Sequence, residues 1–164
     1  MDKEVIKIAN CSGYYGDKLS AAKDLVDGGP IDVLTGDYLA ELTMAILYGQ
    51  KIQRGDDKGY VGTFLKQIKE VAASCKEKKI KIVSNAGGLN PKSMAAEIEK
   101  ILDELSIDLK VAYIDGDDLI PRIPELKKNG EEFSNIEKNI SLDESGCEPL
   151  TANAYLGAWG IKEA

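Results

Sequence analysis

The sequence predicts an α/β fold: a doubly wound, mainly parallel sheet of Rossmann-like or flavodoxin-like type with helices on both faces. Three observations carry the expectation. Short β-branched runs recur along the chain, each run ends in a glycine-bearing turn, and segments with apolar residues at helical spacing separate the runs. With 164 residues the chain has room for one domain, read as residues 1–164, with a core of its own.

The first run, residues 5–10, is a strand followed by the long turn Cys11-Ser12-Gly13-Tyr14-Tyr15-Gly16-Asp17. Leu19, Ala22, Leu25 and Val26 then keep helical spacing until Gly28-Gly29-Pro30 stops the helix. The second strand, residues 31–35, is short and apolar enough to be central in a parallel sheet. It turns at Gly36-Asp37-Tyr38 into a helix over residues 39–48, and residues 50–59 read as a polar, mobile connector. Phe64, Leu65, Ile68, Val71, Ala72 and Cys75 mark a further helix. The third strand, residues 80–83, leads into Ser84-Asn85-Ala86-Gly87-Gly88-Leu89-Asn90-Pro91 and a helix striped with Met94, Ile98, Ile101, Leu102 and Leu105. Residues 109–114 read as a fourth strand, closed by Asp115-Gly116-Asp117-Asp118. After Pro121 a short helix is expected, residues 129–148 have no clear element, and residues 149–164 regain helical character.

Composition narrows the functions. A net charge of −7 and a pI near 4.8 argue against nucleic-acid or anionic-membrane partners, which are held largely by Lys and Arg. No histidine occurs, so a Ser-His-Asp triad, a Cys-His pair and a histidine-ligated metal are excluded within this chain. Cys11, Cys75 and Cys147 are an odd number without a CxxC pair, which indicates neither a disulfide framework nor a Cys-rich zinc site. No export signal and no long apolar run is visible, and a cytoplasmic location is expected. Neither a GxGxxG spacing nor a Walker sequence is present, so no nucleotide cofactor is expected.

In an open parallel sheet, ligands sit outside the carboxyl ends of the strands. The four turns gather Ser12, Gly13, Tyr14, Tyr15 and Asp17; Thr35, Gly36, Asp37 and Tyr38; Asn85, Gly87, Gly88 and Asn90; and Asp115, Asp117 and Asp118. Each has a plainer use. Ser12 and Asp17 suit capping of the first helix, Asp37 suits an N-cap with Glu41 behind it, and Asn90-Pro91 suits N-cap and first helical position. Asp117-Asp118 suits a solvated turn as well as acid–base work or a cation, although no metal is expected. Tyr14 and Tyr15 suit stacking on a planar ligand or packing at the surface.

The wording of these turns resembles the acyclic terpene utilisation family AtuA, also described as a domain of unknown function. The resemblance rests on the first turn, residues 8–17; on Gly29-Pro30-Ile31-Asp32-Val33-Leu34-Thr35-Gly36-Asp37-Tyr38 with the helix behind it; and on Lys81-Ile82-Val83-Ser84-Asn85-Ala86-Gly87-Gly88-Leu89-Asn90-Pro91. Gly116-Asp117-Asp118 and Ala152-Asn153-Ala154-Tyr155-Leu156-Gly157-Ala158 complete five blocks in the family's order. Members are longer, so the chain is expected to be an N-terminal portion. The resemblance implies bacterial catabolism of acyclic terpenes through acyl-CoA intermediates. It further implies a hydratase or lyase step on an acyl-CoA or carboxylate, with Asp37 or Asp117 as base and Asn85 with the Gly87 and Gly88 amides as donors to the thioester oxygen. Ser12, Gly13, Tyr14, Gly36, Asn90, Asp118 and Asn153 would complete the substrate site. The competing expectation is a non-catalytic binding or assembly subunit, either a homo-oligomer or the companion of a separate C-terminal chain.

Overall fold

The computed structural model describes residues 5–164, and the chain divides into two compact units, one running to Ile114 and the other spanning Asp115–Glu163. The first unit contains β1 (Ile8–Asn10), α1 (Ala21–Gly28), β2 (Val33–Gly36), α2 (Glu41–Arg54), α3 (Gly62–Lys78), β3 (Lys81–Ser84) and α4 (Pro91–Glu104). The three strands form one parallel sheet in the order β1-β2-β3. Asn10 stands opposite Thr35, Thr35 opposite Val83, and Gly36 opposite Ser84, so the carboxyl ends of all three strands come level. The α/β parallel architecture read from the sequence is therefore present.

The expected fourth strand is not. Residues 109–114 pair with no strand, and the sheet has three strands among the described residues. Alternating Leu109, Val111 and Tyr113 suit a strand, but of them only Val111 packs against the core, while Tyr113 and Ile114 stay exposed. Strand preference expresses a half-buried pleated surface, and these residues lack one here.

Helix α3 is the pillar of the unit. Val71 and Cys75 join Cys11, Ala22, Val26, Leu34 and Ile80 in one cluster, while Phe64, Ile68 and Ala72 join Tyr38, Leu47, Val61, Met94, Ile98 and Leu102 in another. α1 and α4 both pack on α3. The sheet meets these helices through Cys11, Leu34 and Ile82, whereas Ile8, whose side chain alternates to the other face, is 65% exposed. Lys76 and Lys78 end α3, where cations suit the carbonyl end of a helix.

The connector over residues 50–59 is shorter than expected because α2 continues to Arg54, and its remainder is stitched down. Val61 N–H donates to the Ala86 carbonyl at 2.9 Å and Leu89 N–H to that of Gly59 at 2.8 Å. The Asn90 side chain adds bonds to the carbonyls of Asp56 and Lys58.

The second unit holds a 3₁₀ turn (Ile120–Arg122), α5 (Ile123–Lys128), α6 (Leu142–Ser145) and α7 (Trp159–Glu163). Only α7 realises the helical character expected near the chain's end; Asn153 instead forms an antiparallel bridge with Asp118. α6 carries a capping box in which Ser141 and Glu144 satisfy each other's backbone N–H.

Candidate functional site at the strand ends

The level strand ends set Asp37 beside Asn85. Asp37 follows β2 and Asn85 follows β3, and the Asn85 carboxamide donates through Nδ2 to Asp37 Oδ1 at 2.6 Å. Its Oδ1 accepts the Tyr38 N–H at 2.9 Å, which settles the direction in which the amide faces. The turn after β1 joins them, since the Asp37 N–H donates to the Ser12 carbonyl at 2.9 Å. Both Asp37 and Asn85 are exposed. Helix α2 starts behind Ala40 with no side-chain cap, so Asp37 does not serve as the N-cap that the sequence allowed. Its second carboxylate oxygen bonds to no described residue.

The other expected residues divide by use. Ser12 is buried and its hydroxyl donates to the Tyr14 carbonyl at 3.0 Å, bracing the first turn. Gly13 N–H donates to Asp17, whose carboxyl is held below its ordinary value chiefly by the Gly13 and Lys18 amides. Neither Ser12 nor Asp17 caps α1, which begins at Ala21. Tyr14 projects outward and is largely exposed, whereas Tyr15 packs toward the core and accepts from Gln50. Gly36 lies under the Tyr38 ring, and a Cβ there would stand 2.6 Å from Cε2.

In the third turn the glycines serve packing. A Cβ on Gly88 would fall 2.4 Å from Leu47 Cδ1 and 2.9 Å from the Gly59 carbonyl oxygen, at a φ of 53° that side chains seldom adopt. A Cβ on Gly87 would strike Pro91 at 2.7 Å. The Gly88 amide donates to the Asn85 carbonyl at 3.2 Å, while that of Gly87 donates to no described acceptor. Asn90 is the N-cap of α4, accepting from Ser93 N–H, with Pro91 at the first helical position as the sequence indicated.

In the second unit Asn153 Nδ2 donates to Asp117 Oδ2 at 3.0 Å. The Asp118 carboxylate accepts the Ile120 N–H at 2.9 Å. The remote Gly116-Asp117-Asp118 and Ala152-Asn153-Ala154 blocks are thus neighbours, joined further by bonds from Leu119 N–H to Ala152 and from Ala154 N–H to Asp117. Among the described residues no group of three or more Cys, Asp or Glu is arranged to hold a metal ion, and no helix is long and apolar enough to cross a membrane.

Sequence reasoning missed Gln67. It is 3% exposed, takes the Tyr38 hydroxyl's hydrogen bond at 2.5 Å, and donates to the Leu19 carbonyl at 3.2 Å. Its signal was a lone carboxamide inside the apolar stripe of Phe64, Ile68 and Val71. Burial pushes the Tyr38 hydroxyl well above its ordinary value, and neighbouring Cys11 adds to the rise.

Fold and site together define an α/β protein with parallel strands whose carboxyl ends carry an oriented carboxylate. The family model of the acyclic terpene utilisation family protein AtuA matches residues 6–164, and the chain belongs to that family. Its context is thus acyclic terpene utilisation. No curated protein and no solved structure gives a match.

Proposed function

We propose that the protein acts in acyclic terpene catabolism as a hydratase or lyase on a branched acyl-CoA or carboxylate, with Asp37 as general base. The hydrogen bond from Asn85 to Asp37 is the observation that carries this reading. It leaves one carboxylate oxygen available to a reactant and aims it, which is what proton abstraction requires. In the hydration direction Asp37 takes a proton from water as the oxygen bonds to the β-carbon, and the protonated carboxyl then passes that proton to the α-carbon. In the reverse direction the α-proton leaves and water is expelled. The second hydrogen of Asn85 Nδ2, with the Gly87 amide, suits an oxygen that gains negative charge. Asp117, paired with Asn153, is the second candidate base.

Turnover of a series of branched enoyl-CoA and hydroxyacyl-CoA thioesters tests the reading. Asp37→Asn should lower kcat about 10²- to 10⁴-fold. Unchanged turnover in the Asp37→Asn, Asp117→Asn double variant would end it.

A binding or assembly role is the second reading. It is favoured by Ile6 and Ile8, both exposed, and by the outer edge of β1, which pairs with no strand among the described residues. Here a second copy or a separate chain covers that edge. Size-exclusion chromatography of the chain alone, and with the product of the adjoining reading frame, checks it; a monomer indifferent to that product counts against it.

A further inference from the structure

We infer that Gln67 is a positioning residue for the Asp37/Asn85 pair, acting through Tyr38. The inference rests on the proposed role of that pair, and it assigns a task to a buried group outside the site.

One carboxamide on α3 ties two strand-end connections together. Its oxygen accepts from the Tyr38 hydroxyl, which belongs to the turn after β2, and its nitrogen donates to Leu19 in the connection after β1. The third turn joins through the backbone, because Tyr38 N–H donates to Asn85 Oδ1. Tyr38 has little freedom between those two ends. Its ring meets Phe64 edge-on with centroids 5.7 Å apart, covers the Cα of Gly36, and leaves its hydroxyl 3.8 Å from Cys11 Sγ. A ring held at its hydroxyl, edge and face fixes its own Cα, and with it the N–H that orients Asn85. Asp37 is the adjoining residue, so the carboxylate and the amide that aims it share one anchor.

The choice of glutamine follows from this double duty. An apolar residue at position 67 would fill the stripe of α3 as well, but it would leave the buried Tyr38 hydroxyl without its acceptor. The carboxamide supplies an acceptor and a donor without a buried charge.

The test follows the Asn85 side chain by ¹⁵N NMR in the full chain, comparing Tyr38→Phe, Gln67→Leu and, as a control, Val71→Ala. Val71 lies on the same helix but packs into the cluster of Cys11 and Leu34. In Tyr38→Phe and Gln67→Leu the Asn85 Nδ2 protons should exchange about fivefold faster or more, the loss expected when a single hydrogen bond's worth of ordering is removed. Val71→Ala should lower the melting temperature and leave the Asn85 signals in place. Tyr38→Phe keeps the ring and removes the hydroxyl alone, so it answers even where Gln67→Leu fails to fold. In the thioester assay Tyr38→Phe should lower kcat with little change in KM. Asn85 signals unmoved in Tyr38→Phe, or moved as much by Val71→Ala, would overturn the inference. The base reading fails separately, through unchanged turnover in the Asp37→Asn, Asp117→Asn double variant, and that result leaves the Asn85 response to Tyr38→Phe as it is.

Discussion

The two units of the chain are held together by different means. Among the described residues every buried one lies in the first unit, where most of the buried apolar side chains form two clusters that share α3. The second unit, Asp115–Glu163, has no buried residue; backbone turns, the Ser141/Glu144 capping box and exposed ion pairs such as Arg122 with Glu125 maintain it. Yet each unit sets an asparagine amide on an aspartate, Asn85 on Asp37 and Asn153 on Asp117. The same pair can therefore be made beside a packed sheet or beside a short bridge. Hydrophobic burial stabilises by removing apolar area from water, whereas exposed ion pairs contribute little.

The largest test breaks the first unit. Leu47→Ala empties a fully buried position against the third turn and should cost about 2–5 kcal/mol in urea unfolding followed by fluorescence. Gly88→Ala forces a Cβ onto Leu47 and the Gly59 carbonyl, and should cost about 1–3 kcal/mol in the same assay. Ser141→Ala removes one arm of the capping box and should cost about 1 kcal/mol of local stability, read by faster amide exchange over α6 with α3 unchanged. Breaking the exposed Arg122 to Glu125 pair with Glu125→Gln should leave the urea midpoint essentially unchanged.

The pH response separates the units again. Burial raises the Cys11 and Cys75 thiols above their ordinary value of 9.0. Their contribution to stability is full below that value and is lost as the pH climbs past it and the thiols must ionise. Urea midpoints should therefore fall between pH 8 and pH 10, and less so in Cys75→Ala. Glu144 moves the other way, held below its ordinary value by the Ser141 amide and hydroxyl. Its contribution is present above the ordinary carboxyl value and is lost as the pH falls, so protection of α6 should decline below about pH 4.5 while the thiols stay silent.

Much of the first unit was legible in the sequence because its signals are local. The stripe Met94, Ile98 and Leu102 announced α4, and Asn90-Pro91 announced its start, since capping is decided within one turn of chain. The run over residues 109–114 misled because a strand is complete only with a partner, and alternation cannot say whether one is present. The capping box of α6 was written in Ser141 and Glu144 yet stood in a polar stretch without apolar periodicity to draw attention to it.

The site shows the same division. Residue order alone determined a parallel α/β sheet, polar turns at its strand ends and membership of a family, because periodicity, turn chemistry and block order are properties of the chain read along its length. The tertiary structure alone decided that Asn85 serves Asp37, that Gly88 is glycine for the sake of Leu47, and that Gln67 reaches Tyr38 across 29 positions. Such contacts depend on the register of β1, β2 and β3 and on where α3 lies across them, and only packing sets those.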